Sequence, residues 1–335
     1  MKRRTRYLLL ILAVLLLCAG VGAGGVAWWA QRHFDSPGPL AAERTVTIPR
    51  GVGLRDIAAL LSRDGIIVHP WVFVAGTRFY ADNRPLRFGE YVIAARASPR
   101  QVMEQLIGGK TAVHRLTVPE GLTTAEILTL IAATDGLTGD VPDVEGEGLL
   151  LPETYHFSKD DERSGIVDRM RQAMADGIAE LWAGRAPDLP FDTPEEAVIL
   201  ASIVEKETGR ADERARVAAV FVNRLRRGMR LQSDPTVAYG LTNGAGPLGR
   251  PLTKSDLRSP HPYNTYVIDG MPPGPIANPG RAALQAVMQP AKTRELYFVA
   301  DGTGGHAFAT NLAEHNRNVA KWRRIERARA KEDGS

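Results

Sequence analysis

Two glutamates separated by one lysine, Glu205-Lys206-Glu207, and followed by Thr208, are the residues best placed for acid–base chemistry. They close a segment whose apolar residues Ile199, Leu200, Ile203 and Val204 recur at helical spacing. On a 3.6-residue period Glu207 follows Ile203 and Val204 by one turn, and Leu200 by two, so it shares their face. Glu205 points nearly the opposite way, towards the side of Val198 and Ala201. A carboxyl on an apolar face loses hydration, which disfavours its charged form and raises its pKa from a reference of about 4.3. That is the condition for a general acid working near neutral pH. A glutamate in the last turn of a helix is ordinarily exposed or ion-paired, and Lys206, Arg210 and Arg214 stand close by. Spacing alone therefore names a candidate and no more.

Several loops add chemistry of another kind. Leu151-Pro152-Glu153-Thr154-Tyr155 sets a carboxylate and an aromatic beside a proline turn. Arg224–Thr236 carries Gln232 and Asp234. Tyr263-Asn264-Thr265-Tyr266, Pro272–Gly280 and Tyr297–Phe308 follow. Tyr, Asn, Gln and Asp suit sugars, whose hydroxyls need hydrogen-bonding partners and whose ring faces stack on aromatics. Each segment also has a plainer reading as a turn or cap, and Asp234-Pro235 and Asn278-Pro279 both read as cap-then-proline helix starts. His261, His306 and His315 form no His-Glu-x-x-His pair, so they read as loop or surface residues. No metal and no cofactor is expected, and a chelator should leave the rate unchanged.

The elements that must position these residues follow from local signals. Thr193, Pro194 and Glu196 compose a capping box with proline at the first helical position. They predict a helix from Pro194 to Thr208, ended by Gly209. A second helix is expected over 212–227. Leu296–Ala300 and His306–Ala309 flank a Gly-rich turn and predict a hairpin. A last helix starts near Asn311 and fades into a basic tail, Lys321–Lys331, whose simplest reading is a solvated helix end. Upstream, Thr45–Ile48 alternates as a strand, Leu54–Leu61 has helical spacing, a second helix is expected over 70–80, and Gly89–Ile93 reads as a returning strand. This strand–helix–helix–strand order resembles a LysM-like sugar-binding module. The rhythm of Leu116–Gly121 echoes that of Val46–Gly51.

The bulk composition narrows the function classes. The chain has 335 residues, with 44% hydrophobic and 24% charged, enough for two or three domains with real cores. A net charge of +4 is too small to argue for nucleic acid, and none is expected as a partner. One cysteine, Cys18, excludes an intramolecular disulfide and a Cys-based zinc site. Lys2, Arg3, Arg4 and Arg6 precede an uncharged run from Tyr7 to Ala30, long enough to cross a ~30 Å hydrocarbon layer. Trp28 and Trp29 lie at its far end, where aromatic belts form. The basic cluster predicts a cytoplasmic N-terminus, with everything after Gln31 outside. A cleaved signal peptide is the rival. Lipidation of Cys18 is disfavoured by Leu17 before it.

Taken together, Leu151–Tyr155, Ala201–Thr208, Asn223–Thr236, Tyr263–Tyr266, Gly270–Gly280 and Tyr297–Asn316 resemble the MltG-type (YceG-like) endolytic murein transglycosylases. The resemblance covers most of the chain beyond about residue 115. It implies an α+β fold: a cytoplasmic tail (1–6), a transmembrane helix (7–30), a linker (31–43), a LysM-like βααβ module (44–112) and a mixed α+β catalytic domain (113–330). It implies a lyase acting on peptidoglycan glycan strands, held to the cytoplasmic membrane and expected to terminate strand elongation, with peptidoglycan synthases as neighbours. It places the catalytic glutamate in Glu-Lys-Glu-Thr, assigned to Glu207 with Glu205 as fallback, and Glu153, Gln232, Tyr263, Asn264 and Tyr266 as residues holding the strand. Leu149-Leu150 departs from the family, which often has an aromatic there. Rival readings are a hydrolytic muramidase using Glu153 or Asp234 as second carboxylate, a metallopeptidase, and a wall-binding scaffold without turnover.

Overall fold

The computed structural model describes residues 2–109 and 111–332, with side chains from position 8 onward except 9, 110 and those past 329. The basic side chains of the expected cytoplasmic tail lie outside the described residues. The chain divides into two units, one comprising the residues up to His114 with Ser158–Asp160, the other Arg115–Phe157 with the residues from Asp161 onward.

The first unit begins with α1 (Lys2–Asp35), of which Leu10–Asp35 is by length and composition able to cross a membrane. There follow β1 (Arg44–Ile48), α2 (Leu54–Arg63), α3 (Pro70–Tyr80), β2 (Gly89–Ile93) and α4 (Pro99–Gly108). β1 and β2 pair antiparallel, Val46 opposite Tyr91 and Ile48 opposite Gly89. Their alternation sends Val46, Ile48, Tyr91 and Ile93 into a core shared with Ile57, Leu61, Phe73 and Leu106. Ser98 and Gln101 cap α4 reciprocally.

The expected linker over 31–43 needs correction. α1 continues unbroken to Asp35, and only Ser36–Glu43 is irregular. The reason is tertiary: Phe34 is 1% exposed within the core of this unit. Its ring occupies the space where a Cβ on Gly76 would lie, 2.4 Å from Phe34 Cε2. Arg100 adds an ion pair to Asp35 at 2.5 Å.

The second unit comprises β3 (His114–Thr117) from Arg115 onward, α5 (Thr124–Ala132), β4 (Leu137–Thr138), β5 (Thr154–Phe157), β6 (Asp161–Glu162), α6 (Arg163–Ala183), α7 (Pro194–Glu207), α8 (Ala211–Arg226), α9 (Asp234–Thr242), α10 (Arg281–Met288), β7 (Tyr297–Ala300), β8 (His306–Ala309) and α11 (Leu312–Glu332). Among the described residues the strands form two-stranded ribbons, including the β7–β8 hairpin with Phe298 opposite Phe308. The fold is thus mixed α+β, organised on helices α7, α8 and α10, which pack on one another.

α7 is the buried axis of this packing. The Thr193–Glu196 box forms as the sequence requires, Thr193 Oγ1 accepting from the Glu196 N–H at 3.2 Å and Glu196 Oε2 from the Thr193 N–H at 3.1 Å. Such a cap stabilises a helix by about 1 kcal/mol. The helix ends at Glu207, one residue early, because Thr208 is extended. Ala197, Leu200, Ala201, Ile203 and Val204 are all fully buried, so α7 is enclosed on both sides rather than amphipathic.

Candidate active site

Glu207 stands at the C-terminal end of α7, where the helix leaves the core and reaches a groove of about 490 Å³. Its Oε1 accepts a hydrogen bond from the Ser233 hydroxyl at 2.5 Å. Burial pushes its carboxyl above the ordinary range; the Ser233 bond opposes this, the nearby charge of Asp234 adds to it, and His306 and Arg224 counter it. The carboxyl is therefore kept partly dehydrated while still facing an open groove.

The segment carrying Ser233 is stitched in place. Gln232 has a left-handed backbone, φ 53, uncommon for a residue with a side chain. The N–H groups of Gln232 and Ser233 donate to the carbonyl and hydroxyl of Thr265 at 3.1 and 2.9 Å. Thr236 Oγ1 meets Thr265 Oγ1 at 2.8 Å. Arg224, buried, donates from Nε to the Leu296 carbonyl at 2.7 Å and from Nη1 to that of Leu231 at 2.8 Å. One guanidinium thus joins α8 to both walls of the groove, and burial lowers its pKa.

The structure brings Glu207, Gln232 and Tyr266 to one groove, with Asp234 and Arg224. The Tyr266 hydroxyl donates to Asp234 Oδ1 at 2.6 Å. Asp234 also borders a second, mostly apolar groove of about 380 Å³, lined by Lys206, Tyr239 and Leu248 among others.

The structure places the remaining candidates elsewhere. Asn264 is 1% exposed and its amide donates to the carbonyls of Asp256, Leu257 and Ser259, which fixes the loop beneath Tyr266. Tyr263 packs on Tyr239, ring centroids 4.8 Å apart, outside the lining of the Glu207 groove. Glu153 is exposed just before β5 and also lies outside that lining.

The two expected cap-then-proline starts are corrected. At α9 the cap position belongs to Ser233, and Asp234 is the first helical residue. At α10 the helix starts later, at Arg281, and Asn278 is a buried staple. Its Oδ1 accepts the Leu150 N–H at 3.0 Å, and its Nδ2 donates to the Leu122 carbonyl at 3.2 Å and Thr124 Oγ1 at 3.1 Å.

Glu205 is also buried, its side chain 5% exposed. Its Oε2 accepts the Gly280 N–H at 2.9 Å, and Arg214 stands 3.7 Å from its other oxygen. Burial raises its pKa, as it does for Glu207. The difference between the two glutamates is thus one of surroundings: Glu207 lines a groove, Glu205 ties α7 to the loop before α10.

The reading of His306 and His315 as loop or surface residues needs correction. His315, on α11, lines the groove and stacks on Tyr297, centroids 5.0 Å apart. Burial and Arg224 hold its pKa down. His306, on β8, is held by Glu213, Nδ1 to Oε2 at 2.8 Å and N–H to Oε1 at 3.0 Å. Neither belongs to a periodic pattern, so only the tertiary fold reveals them.

Residues 46–321 match the YceG-like family. The chain belongs to that family. Relatives of this YceG-like chain include a Streptococcus pneumoniae protein (serotype 2, strain D39) named endolytic murein transglycosylase. It is 28% identical over 364 residues, covering 93% of this chain and 64% of its own length. The chain thus spans less than two thirds of that relative. A Bacillus subtilis (strain 168) protein of the same name is 28% identical over 308 residues, covering 83% of this chain and 84% of its own. The crystal structure of a yceG-like protein from Listeria monocytogenes matches with a TM-score of 0.50 at 29% identity, covering 82% of this chain and 98% of that one.

Proposed function

We propose that this YceG-like protein is an endolytic lytic transglycosylase of peptidoglycan. It would cleave the bond between N-acetylmuramic acid and N-acetylglucosamine in nascent glycan strands, so ending their elongation. The observation that carries the reading is the partly dehydrated Glu207 carboxyl, held by Ser233 at the wall of an open groove. The shared name of the relatives supports the substrate.

In this reading protonated Glu207 donates to the glycosidic oxygen, and the bond breaks through an oxocarbenium-like state. The resulting carboxylate then takes the proton of the muramyl C6 hydroxyl, which closes on C1 to give a 1,6-anhydro end. The nucleophile belongs to the substrate and is already positioned, so its effective concentration is high. Asp234, hydrogen-bonded by Tyr266, keeps a negative charge beside Glu207 and favours its protonated form. Gln232, Tyr266 and His315 offer polar and aromatic surface for the sugar rings. α1 anchors the chain in the cytoplasmic membrane, the N-terminus inside and the groove outside. The β1–α2–α3–β2 module serves as a LysM-like contact to the glycan, and peptidoglycan synthases are the expected neighbours.

A hydrolytic muramidase is the second reading, favoured by one observation: Asp234 is a second carboxylate in the same groove. Digestion of purified glycan strands by the wild type, Glu207→Gln and Glu205→Gln decides both points. A product lighter by one water than the hydrolytic end, lost in Glu207→Gln, is expected. Full activity in Glu207→Gln would refute the assignment, and hydrolytic ends would replace the first reading by the second.

A further inference from the structure

α3 carries an apolar stripe that the fold does not bury. Trp71, Ala75 and Phe79 recur one turn apart and are exposed, Trp71 by 48% and Phe79 by 79%. A helix of a soluble domain ordinarily turns such a stripe inward. Here the inward face is made instead by Val72, Phe73 and Thr77. The stripe is not a product of missing core.

Its neighbour is the apolar helix α1. Trp71 stacks on Trp29 of α1, centroids 5.7 Å apart and planes within 11°. Farther along, Phe34 fits against Gly76 so closely that a Cβ there would collide. Between the two helices runs an apolar groove of about 250 Å³, bounded by Ala27, Ala30, Val72, Ala75 and Phe79. On α1, Trp28 is 63% exposed, with the Arg32 guanidinium over its ring at 5.6 Å. Arg78, beside Phe79, is exposed as well. Aromatic rings, a shallow apolar groove and flanking arginines are what the boundary between acyl chains and anionic headgroups selects.

We propose that α3 is a second membrane contact: the Trp71–Ala75–Phe79 stripe and Trp28 seat the N-terminal unit on the bilayer surface, with acyl chains in the groove between α1 and α3. Lipid is the occupant because the stripe is continuous with a helix that is itself long and apolar enough to span. The inference rests on the reading of α1 as an anchor.

The test uses the full chain in nanodiscs of phosphatidylcholine and phosphatidylglycerol. An environment-sensitive fluorophore is placed on native Cys18, and separately on Phe79→Cys, Trp71→Cys and Ala59→Cys in a Cys18→Ser background. Ala59 is an exposed position on α2. Spin-labelled lipid should remove most of the emission from positions 18, 71 and 79, and iodide little of it; position 59 should behave in the reverse way. Quenching by lipid at 18 but iodide quenching at 71 and 79 overturns this inference and leaves the anchor standing. Iodide quenching at 18 sinks the anchor and the seat together. Disulfide-linked dimers of unlabelled Phe79→Cys under mild oxidation would show that a second copy covers the stripe, which also overturns it.

Discussion

Tyr266 holds Asp234 across the mouth of the groove, its phenolic hydroxyl 2.6 Å from Oδ1, and so fixes a negative charge beside Glu207. Asp234→Asn removes that charge. The Glu207 carboxyl then loses one of the influences raising its pKa, burial remaining the larger. A reaction begun by protonated Glu207 declines as pH rises past this pKa, so the alkaline limb of the pH–rate profile should move to lower pH in Asp234→Asn. Tyr266→Phe frees Asp234 and should weaken turnover, and it should also lower the melting temperature, since a hydrogen bond to a charged group contributes about 1.5–3 kcal/mol of stability. Strand digestion across a pH series checks both, and an unmoved limb in Asp234→Asn would count against the coupling.

Glu207→Gln should trade activity for stability. The folded-state pKa of Glu207 is raised above its unfolded value, so folding favours the protonated form, and that favour is lost as pH rises through the folded pKa. Above it, the native state carries a poorly hydrated charge. The neutral amide avoids this, so Glu207→Gln should melt at a higher temperature than wild type at alkaline pH. The gap should narrow as the pH falls towards the ordinary carboxylate range. Thermal melts at several pH values measure it; a variant less stable at every pH would contradict the sign.

Glu205→Gln should differ in its effect on the reaction, not in the sign of its pH dependence, because burial raises this carboxyl's pKa as well. Its carboxylate accepts the Gly280 N–H and faces Arg214, so the amide weakens a structural tie and leaves Arg214 without part of its counter-charge. The lost tie to Arg214 should make any gain in melting at alkaline pH smaller than in Glu207→Gln, while the product ends keep the wild-type mass and some activity survives.

Asn278→Ala removes four side-chain hydrogen bonds at once, those with Leu150, Leu122, Thr124 and Glu147. Leu122, Thr124 and Glu147 keep other partners, so the main cost is the Leu150 N–H left unpaired, about 1–3 kcal/mol, and the melting temperature should fall by several degrees. A shift under one degree would mean that the loop closes without it.

What could be read from the residues was local. The Thr193–Glu196 cap, the order of β1, α2, α3 and β2, and the β7–β8 hairpin all rest on signals a few residues long. What could not be read was set by partners far along the chain. Asn264 and Asn278 look like ligand groups or caps until the carbonyls they serve are brought up by folding. The continuation of α1 to Asp35 depends on a slot at Gly76. The contrast drawn from helical faces between Glu205 and Glu207 fails in its premise, because α7 is buried on both sides. His315 sits on a highly charged helix whose pattern gives no hint of Tyr297 beneath it.

The lodging of Phe34 against Gly76 has a mechanical meaning. A helix whose last turn is cast into a folded core has no swivel. Any tilt or rotation imposed on its first thirty residues is delivered undamped to the β1–β2 ribbon and its helices, so whatever grips one end aims the other.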